Sequence, residues 1–316
     1  MERIIKNIGS YSILEEIGRG GLAVIYKAKQ TNIDRFVIIK ELHVHLADDP
    51  EFICRFENEA KILGVLHHVN IINIVDYGKD GNSHFIVLEY MDGSDLSWIL
   101  KQIGALPLNI GLIIASRIIS ALEYIHEKGI IQRNIKPSHI LISKEGKIKL
   151  TGFEIAIHRP SPGQTHTGEV NGASTHMTPE QLDGRNIDER SDIYSLGVVL
   201  YKIFSGEHPY GRESLHEIIT NIIQVSPPES EQLKRNAPSS LRKLILRCLS
   251  KDQNKRPSTQ ETKTYLISQA MIENDRRDFS EVLQEFFKEK GIVLAHRYGP
   301  TEEQTCIIRP RLNDKL

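Results

Sequence analysis

The chain has 316 residues, 40% of them hydrophobic, which suffices for one large or two modest domains of a soluble globular protein with a sizeable core. Forty Lys and Arg residues against 41 Asp and Glu leave a net charge of -1, so there is no electrostatic reason to expect nucleic acid or an anionic membrane as a partner. Three cysteines, Cys54, Cys248 and Cys306, stand far apart without CxxC spacing; this disfavours a disulfide framework or a zinc site and points to a reducing, cytoplasmic location.

The first stretch, MERIIKNIGS, has no apolar run of signal-peptide length, and the apolar stretch NIGLIIASRIISAL is broken by Arg and Ser, so no membrane span is expected. From Tyr11 to about Tyr90, short β-rich runs (SILEEIG, VIYKAKQ, RFVIIKEL, IINIVDYG, HFIVLEY) surround one helical segment, PEFICRFENEAKILGVL. Its Phe52, Phe56, Ala60 and Leu63 recur at helical spacing, which predicts a small sheet plus one helix. The histidine pairs His43/His45 and His67/His68 lack an accompanying cysteine or carboxylate cluster, and no metal site is expected. MDGSD supplies turn residues and reads as a hinge. Beyond Asp95, helix signals dominate: IGLIIASRIISALEYIHEKG and SDIYSLGVVLYKIFSG each end on glycine, and SSLRKLILRCLS follows. After about Ala270, DFSEVLQEFFKEKG has Asp278 and Glu281 in capping-box positions and Phe279, Leu283, Phe286 and Phe287 on one side. TEEQTCIIRPRLNDKL has no clear period and is expected to be mobile.

Nine segments then stand in order: GRGGLAVIYKA, VIIK, FENEA, VLEYMDG, IIQRNIKPSHILI, KIKLTGFEIA, MTPEQL, SDIYSLGVVLYKIFSGEHPY and DQNKRPS. Together, over about residues 11 to 270, they resemble a protein kinase, most closely the bacterial members of the eukaryotic-type serine/threonine kinases. The resemblance implies an α+β, two-lobed protein kinase-like fold. Its expected parts are a lead at 1–10, a sheet-rich lobe at 11–91, a helical lobe at 92–270 and an extension at 271–316. It also implies nucleotide-binding candidates. Gly18, Gly20 and Ile25 lie in the glycine-rich loop, with Ala23 where a third glycine usually stands, and Ile38 and Lys40 lie in the strand motif. Glu59 is the ion-pair partner of Lys40; Leu88 is the gatekeeper, Glu89 to Met91 the adenine-binding backbone, Asp95 a ribose contact and Leu141 the floor, with Lys136 also retained. Glu180, Asp192, Gly197 and Arg256 match architectural positions, Glu180 and Arg256 as an ion pair. Read without the resemblance, Gly18 and Gly20 shape a hairpin and Lys40 with Glu59 orients a helix.

The departures fall on the chemistry. Where the family has HRD, this chain has Gln132, Arg133 and Asn134, and an amide cannot take the proton of a substrate hydroxyl. His139 stands where an asparagine would hold magnesium, and Gly152 where the DFG aspartate would; Glu154 takes the place of that motif's glycine. Ala173 replaces the threonine that touches the catalytic aspartate, and Ile38 replaces an alanine that lies against adenine, an overpacking of typically ~1–3 kcal/mol. The expectation is weak ATP binding, no magnesium, and a pseudokinase that acts as a binding or allosteric module for a protein partner. One alternative is a weakly active serine/threonine kinase or other ATP-dependent transferase, with Glu154 or Glu169 supplying a metal-binding acid. Another is partner binding through the C-terminal helix, the lobes being a carrier. Ser161, Thr165, Thr167, Ser174 and Thr175 lie in a span expected to be exposed, with any phosphate written by another kinase.

Overall fold

The computed structural model describes residues 6–158, 175–211 and 214–294. The expectations for Ser161, Thr165, Thr167, Glu169, Ala173, Ser174, Cys306 and the last stretch lie outside those residues. Four strands open the chain: β1 (Asn7–Ile8), β2 (Tyr11–Arg19), β3 (Ala23–Gln30) and β4 (Arg35–Leu42). Helix α1 (Pro50–Val65), strands β5 (Ile74–Asp80), β6 (Ser83–Glu89) and β7 (Gly93–Asp95), and helices α2 (Leu96–Ile103) and α3 (Leu108–Glu127) follow. Then come β8 (Ile130–Ile131), β9 (Ile140–Ser143), β10 (Ile148–Leu150) and β11 (Ile157–His158). Helices α4 (Pro179–Leu182), α5 (Glu189–Ser205), α6 (Leu215–Gln224), α7 (Glu231–Asn236), α8 (Ser239–Cys248), α9 (Thr259–Glu273) and α10 (Phe279–Glu289) complete the order. This is an α+β arrangement, a six-stranded antiparallel sheet followed by a mainly helical part, which is the fold that the resemblance implies.

Two compact units are formed, the first from described residues 6–99, 137–156 and 276–294 and the second from the remainder. In the first, an antiparallel sheet runs in the order β1-β2-β3-β4-β6-β5. Alternation along β4 sends Val37 and Ile39 into a core with Ile8, Tyr11, Ala28, Phe85 and Val87 and leaves Ile38 and Lys40 on the other face. Helix α1 starts on Asp49, which accepts the Glu51 N–H, with Pro50 in the first turn. It buries Phe56, Glu59, Ala60, Ile62 and Leu63, while Phe52 is only half-buried. A glutamate inside an apolar stripe requires a partner.

Three expectations change here. MDGSD is not a free turn: Gly93–Asp95 pairs with β9, and a Cβ at Gly93 would meet the Ile142 carbonyl oxygen at 2.0 Å, so the glycine serves close backbone approach. Because β7, β9 and β10 form one sheet and Ile72 N–H donates to Leu150 O, residues 137–156 join the first unit rather than the helical one. Finally, α10 buries Val282, Leu283, Phe286 and Phe287, with Phe279 half-buried, and Gln284 donates to Glu145 O at 3.1 Å. A Cβ on Gly146 would lie 2.5 Å from Ser280 O, so the helix is seated on the β9–β10 turn. Its apolar face is used inside its own chain, which removes the physical basis for that helix as a free partner-binding element.

The second unit is organised around α3. By length and composition this helix is apolar enough to cross a membrane, and 67% of its most apolar window is buried among its neighbours in the unit. Gly111 allows Phe204 and Ile203 of α5 to close on it, and Gly206 ends α5 in the left-handed conformation. The expected ion pair is present: Arg256 donates to Glu180 at 2.6 and 2.8 Å, both side chains being fully buried.

His208 is kept from taking a proton by its surroundings rather than by its bond to Thr175. Its Nε2 donates to Thr175 O at 2.9 Å and its Nδ1 accepts from Tyr210 N–H at 3.3 Å. Burial, then the nearby Lys202 charge, lowers its pKa to about 4. Unfolded histidine titrates near 6.5, so the unfolded chain binds the extra proton first. Stability should therefore fall by roughly 3 kcal/mol as the pH drops from about 7 to about 4. Chemical unfolding at both ends of that window should show this loss in the native chain and a clearly smaller one in His208→Gln; equal losses would rule out the assignment.

Candidate functional site

Each unit carries some of the segments that the resemblance singles out, and each is taken by itself. In the first, β2 and β3 form the glycine-rich hairpin, where Gly20 N–H donates to Ala23 O at 2.8 Å and Gly18 pairs with Ile25. His43 Nε2 donates to Gly20 O at 2.7 Å and ties the turn to the residue after β4. This bond has no local pattern in the sequence, from which His43 reads as an ordinary surface or core histidine rather than a metal ligand. Among the described residues no cluster of three or more His, Cys, Asp or Glu is placed to hold a metal.

The expected adenine side is apolar. Ile38 and Leu88 are direct partners across β4 and β6, and both, with Met91 and Leu141, are buried. Glu89 is fixed from two sides: its Oε1 accepts Asn73 N–H at 2.7 Å and lies 2.7 Å from Lys149 Nζ. Asp95, expected at a ribose, is 1% exposed and its Oδ1 accepts Trp98 N–H at 2.9 Å, so it caps α2 and presents no open surface to a sugar.

Lys40 and Glu59 meet as expected, at 2.9 and 2.7 Å to the two carboxylate oxygens. A third acceptor stands beside them: Glu154 Oε1, 2.6 Å from Lys40 Nζ. An ammonium has three N–H bonds, and three acceptors surround this one. Burial disfavours charge on all three groups. For Glu154, Lys40 and, less strongly, His139 outweigh burial and hold the carboxyl well below the usual range. For Glu59, burial prevails over Lys40, and the Glu154 charge adds to it, so its pKa rises. Lys40 rises too, because its two carboxylates outweigh its burial. The trio shares one excess negative charge, carried on Glu154, while Glu59 takes a proton more readily. The second Glu154 oxygen is buried without a hydrogen-bond partner.

His139 and Gly152 are in contact. Gly152 has φ +82°, and a Cβ built on it would lie 2.1 Å from His139 Nδ1 and 2.5 Å from Cε1. His139 and Gly152 thus form one steric unit: the imidazole fills the space in which a side chain at 152 would begin. Gly152→Asp alone should lose ~1–3 kcal/mol to overpacking and a further ~1 kcal/mol to the left-handed backbone. Adding His139→Asn should return the first part only. Urea unfolding of the single and double variants measures both; a single variant as stable as the native chain would contradict this geometry.

The second unit carries the loop with Gln132, Arg133 and Asn134. Asp192 holds it, accepting Gln132 N–H at 2.9 Å and Arg133 N–H at 2.8 Å, while His126 Nε2 lies 2.8 Å from the same carboxylate. Arg133 is in the left-handed region at φ +67°, a conformation stabilised by those bonds. Gln132 is fully buried, and its Oε1 accepts Asn134 N–H at 2.7 Å, so the amide stands in for an imidazole as the loop's internal brace. Asn134 and Lys136 are half-buried. The backbone of this loop is held in place by these bonds, with the amide of Asn134 within it.

The fold and this set of motifs define a kinase domain, and the chain belongs to the protein kinase domain family, whose model matches residues 11–266. It is similar to the serine/threonine-protein kinase PrkC of Bacillus subtilis, 38% identical over 253 residues, which cover 80% of this chain and 39% of that protein. A "Probable serine/threonine-protein kinase" of Clostridium perfringens is 36% identical over 242 residues, 77% of this chain and 35% of its own. The "Probable serine/threonine-protein kinase PknB" of Lactococcus lactis is 32% identical over 307 residues, 96% of this chain and 49% of its own. The chain thus spans between about a third and a half of the length of these relatives. Members of the family transfer phosphoryl groups from ATP with magnesium.

Proposed function

We propose that this chain is a pseudokinase: a kinase-fold module that no longer transfers phosphate at a useful rate and acts by binding a protein partner. The observation that carries the reading is the His139–Gly152 contact, which leaves position 152 with neither an oxygen ligand nor space for one. Magnesium demands near-octahedral oxygen coordination, and a glycine and an imidazole at the two family positions do not supply it. The residues present therefore do not fit the metal. Asn134 supports the same reading, since an amide cannot act as general base. The near-neutral net charge supports a protein partner over nucleic acid, and the cysteine usage supports a cytoplasmic location.

Calorimetric titration with ATP tests this. Binding is expected to be weak, and its Kd to change by less than about threefold when magnesium is added, since each lost ligand removes a means by which the metal would bridge phosphate to protein. Tight binding seen only with magnesium would overturn the proposal.

A second reading is a weakly active serine/threonine kinase. The names of the relatives favour it, as does the retained Lys40–Glu59 pair. The second oxygen of Glu154, buried without a hydrogen-bond partner, adds one acidic group to that reading. Taken by themselves, the comparisons support this reading better than the first; the residues at 134, 139 and 152 weigh against it.

A further inference from the structure

We infer that Glu154 sets the ligand class of the first unit: it occupies the phosphate-binding end of Lys40, so that the site takes an uncharged adenine-type nucleoside in preference to its triphosphate. The inference rests on the reading that the unit keeps an adenine-binding surface at Ile38, Leu88 and Met91, and deepens it by naming what such a surface would accept.

The geometry is local and complete. Lys40 Nζ has Glu59 Oε1 at 2.9 Å, Glu59 Oε2 at 2.7 Å and Glu154 Oε1 at 2.6 Å, one acceptor for each of its three N–H bonds. A phosphate oxygen reaching this ammonium must displace a carboxylate. Displacing Glu59 would strip α1 of the partner of a fully buried charge. Displacing Glu154 would leave a carboxylate, one oxygen of which is already buried without a partner, next to an incoming polyanion. Either route brings like charges together at low dielectric, where their repulsion is several times stronger than in water. A nucleoside makes no such demand, because its base meets the apolar face of β4 and β6 and carries no charge to Lys40. Ile38 narrows that face for both ligands alike, so it lowers both affinities without altering their ratio.

Glu154 is a positioning residue for Lys40 and needs a test that a purely structural role would not satisfy. The intact 316-residue chain, Glu154→Gln and Glu154→Ala are each titrated with adenosine and with ATP in metal-free buffer. Both variants leave Glu59 on Lys40, and thermal unfolding verifies that each is folded. In the native chain, adenosine is expected to bind at least ten times more tightly than ATP. In both variants ATP should tighten at least tenfold while adenosine changes less than threefold. An ATP affinity equal to or above that of adenosine in the native chain overturns the role of Glu154, as does an unchanged ratio in the variants. Absence of binding by either ligand in all three proteins overturns instead the adenine-surface reading beneath it.

Discussion

Replacing Arg256 by methionine is expected to lower the free energy of unfolding by about 3–5 kcal/mol, the loss that follows when one partner of a buried ion pair is removed. The guanidinium is bound on several sides. Besides Glu180 it donates from Nε to Ser250 O at 2.8 Å and from Nη1 to Arg190 O at 2.9 Å, and its Cζ lies 4.8 Å from the centre of the Tyr194 ring. With arginine gone, Glu180 would keep the Ser191 hydroxyl at 2.6 Å but face an otherwise uncompensated burial. In the native chain burial opposes ionisation, yet the Arg256 bonds and charge prevail, and the Glu180 carboxyl lies below its ordinary pKa. A depressed carboxyl stabilises the fold above about pH 4.5 and loses that contribution as the pH falls through its folded pKa. In Arg256→Met the sign reverses, because burial then governs and Glu180 is driven to take a proton. The difference between the two proteins should therefore be largest near pH 7 and shrink toward pH 4. Urea unfolding at both values measures it; a difference below about 1 kcal/mol at pH 7 would show that the pair is dispensable.

The parts legible in the sequence were those with a period or a motif. The β-rich run RFVIIKEL marked a strand, the spacing of Phe52, Phe56, Ala60 and Leu63 marked α1, and the kinase-like segments paired Lys40 with Glu59 and Arg256 with Glu180. What escaped has no local signature. Lys40 and Glu154 are 114 residues apart, and nothing in KIKLTGFEIA announces that the glutamate turns toward a β4 lysine. The His139–Gly152 contact depends on a Cβ that is not there, so the sequence presents two separate losses where the fold has one packed unit. Strand β7 hides in MDGSD because its pairing is made by backbone atoms and a glycine, which leave no side-chain pattern. An amphipathic pattern in DFSEVLQEFFKEKG says that a face is buried; that Gln284 and the Ser280 backbone also seat the helix on the turn at Glu145 and Gly146 has no such pattern.

On the proposed pseudokinase reading, loss of catalysis is the largest effect expected, and phosphoryl transfer is its most direct test. A missing general base removes about 10²–10⁴ in rate, and lost metal stabilisation, worth several kcal/mol, removes on the order of another 10²–10³. Groups within one site do not act additively, so a combined factor of ~10⁴–10⁵ is the fair figure. Kinases ordinarily turn over at roughly 1–100 s⁻¹, which would leave one event in minutes to days. The measurement is phosphoryl transfer from labelled ATP, with magnesium, to the chain itself and to a generic basic protein substrate, beside a Lys40→Met control that removes the lysine to which the resemblance assigns the phosphates. The expected result is incorporation no higher than in the control. Robust incorporation by the native chain that disappears in Lys40→Met would contradict the proposed pseudokinase reading.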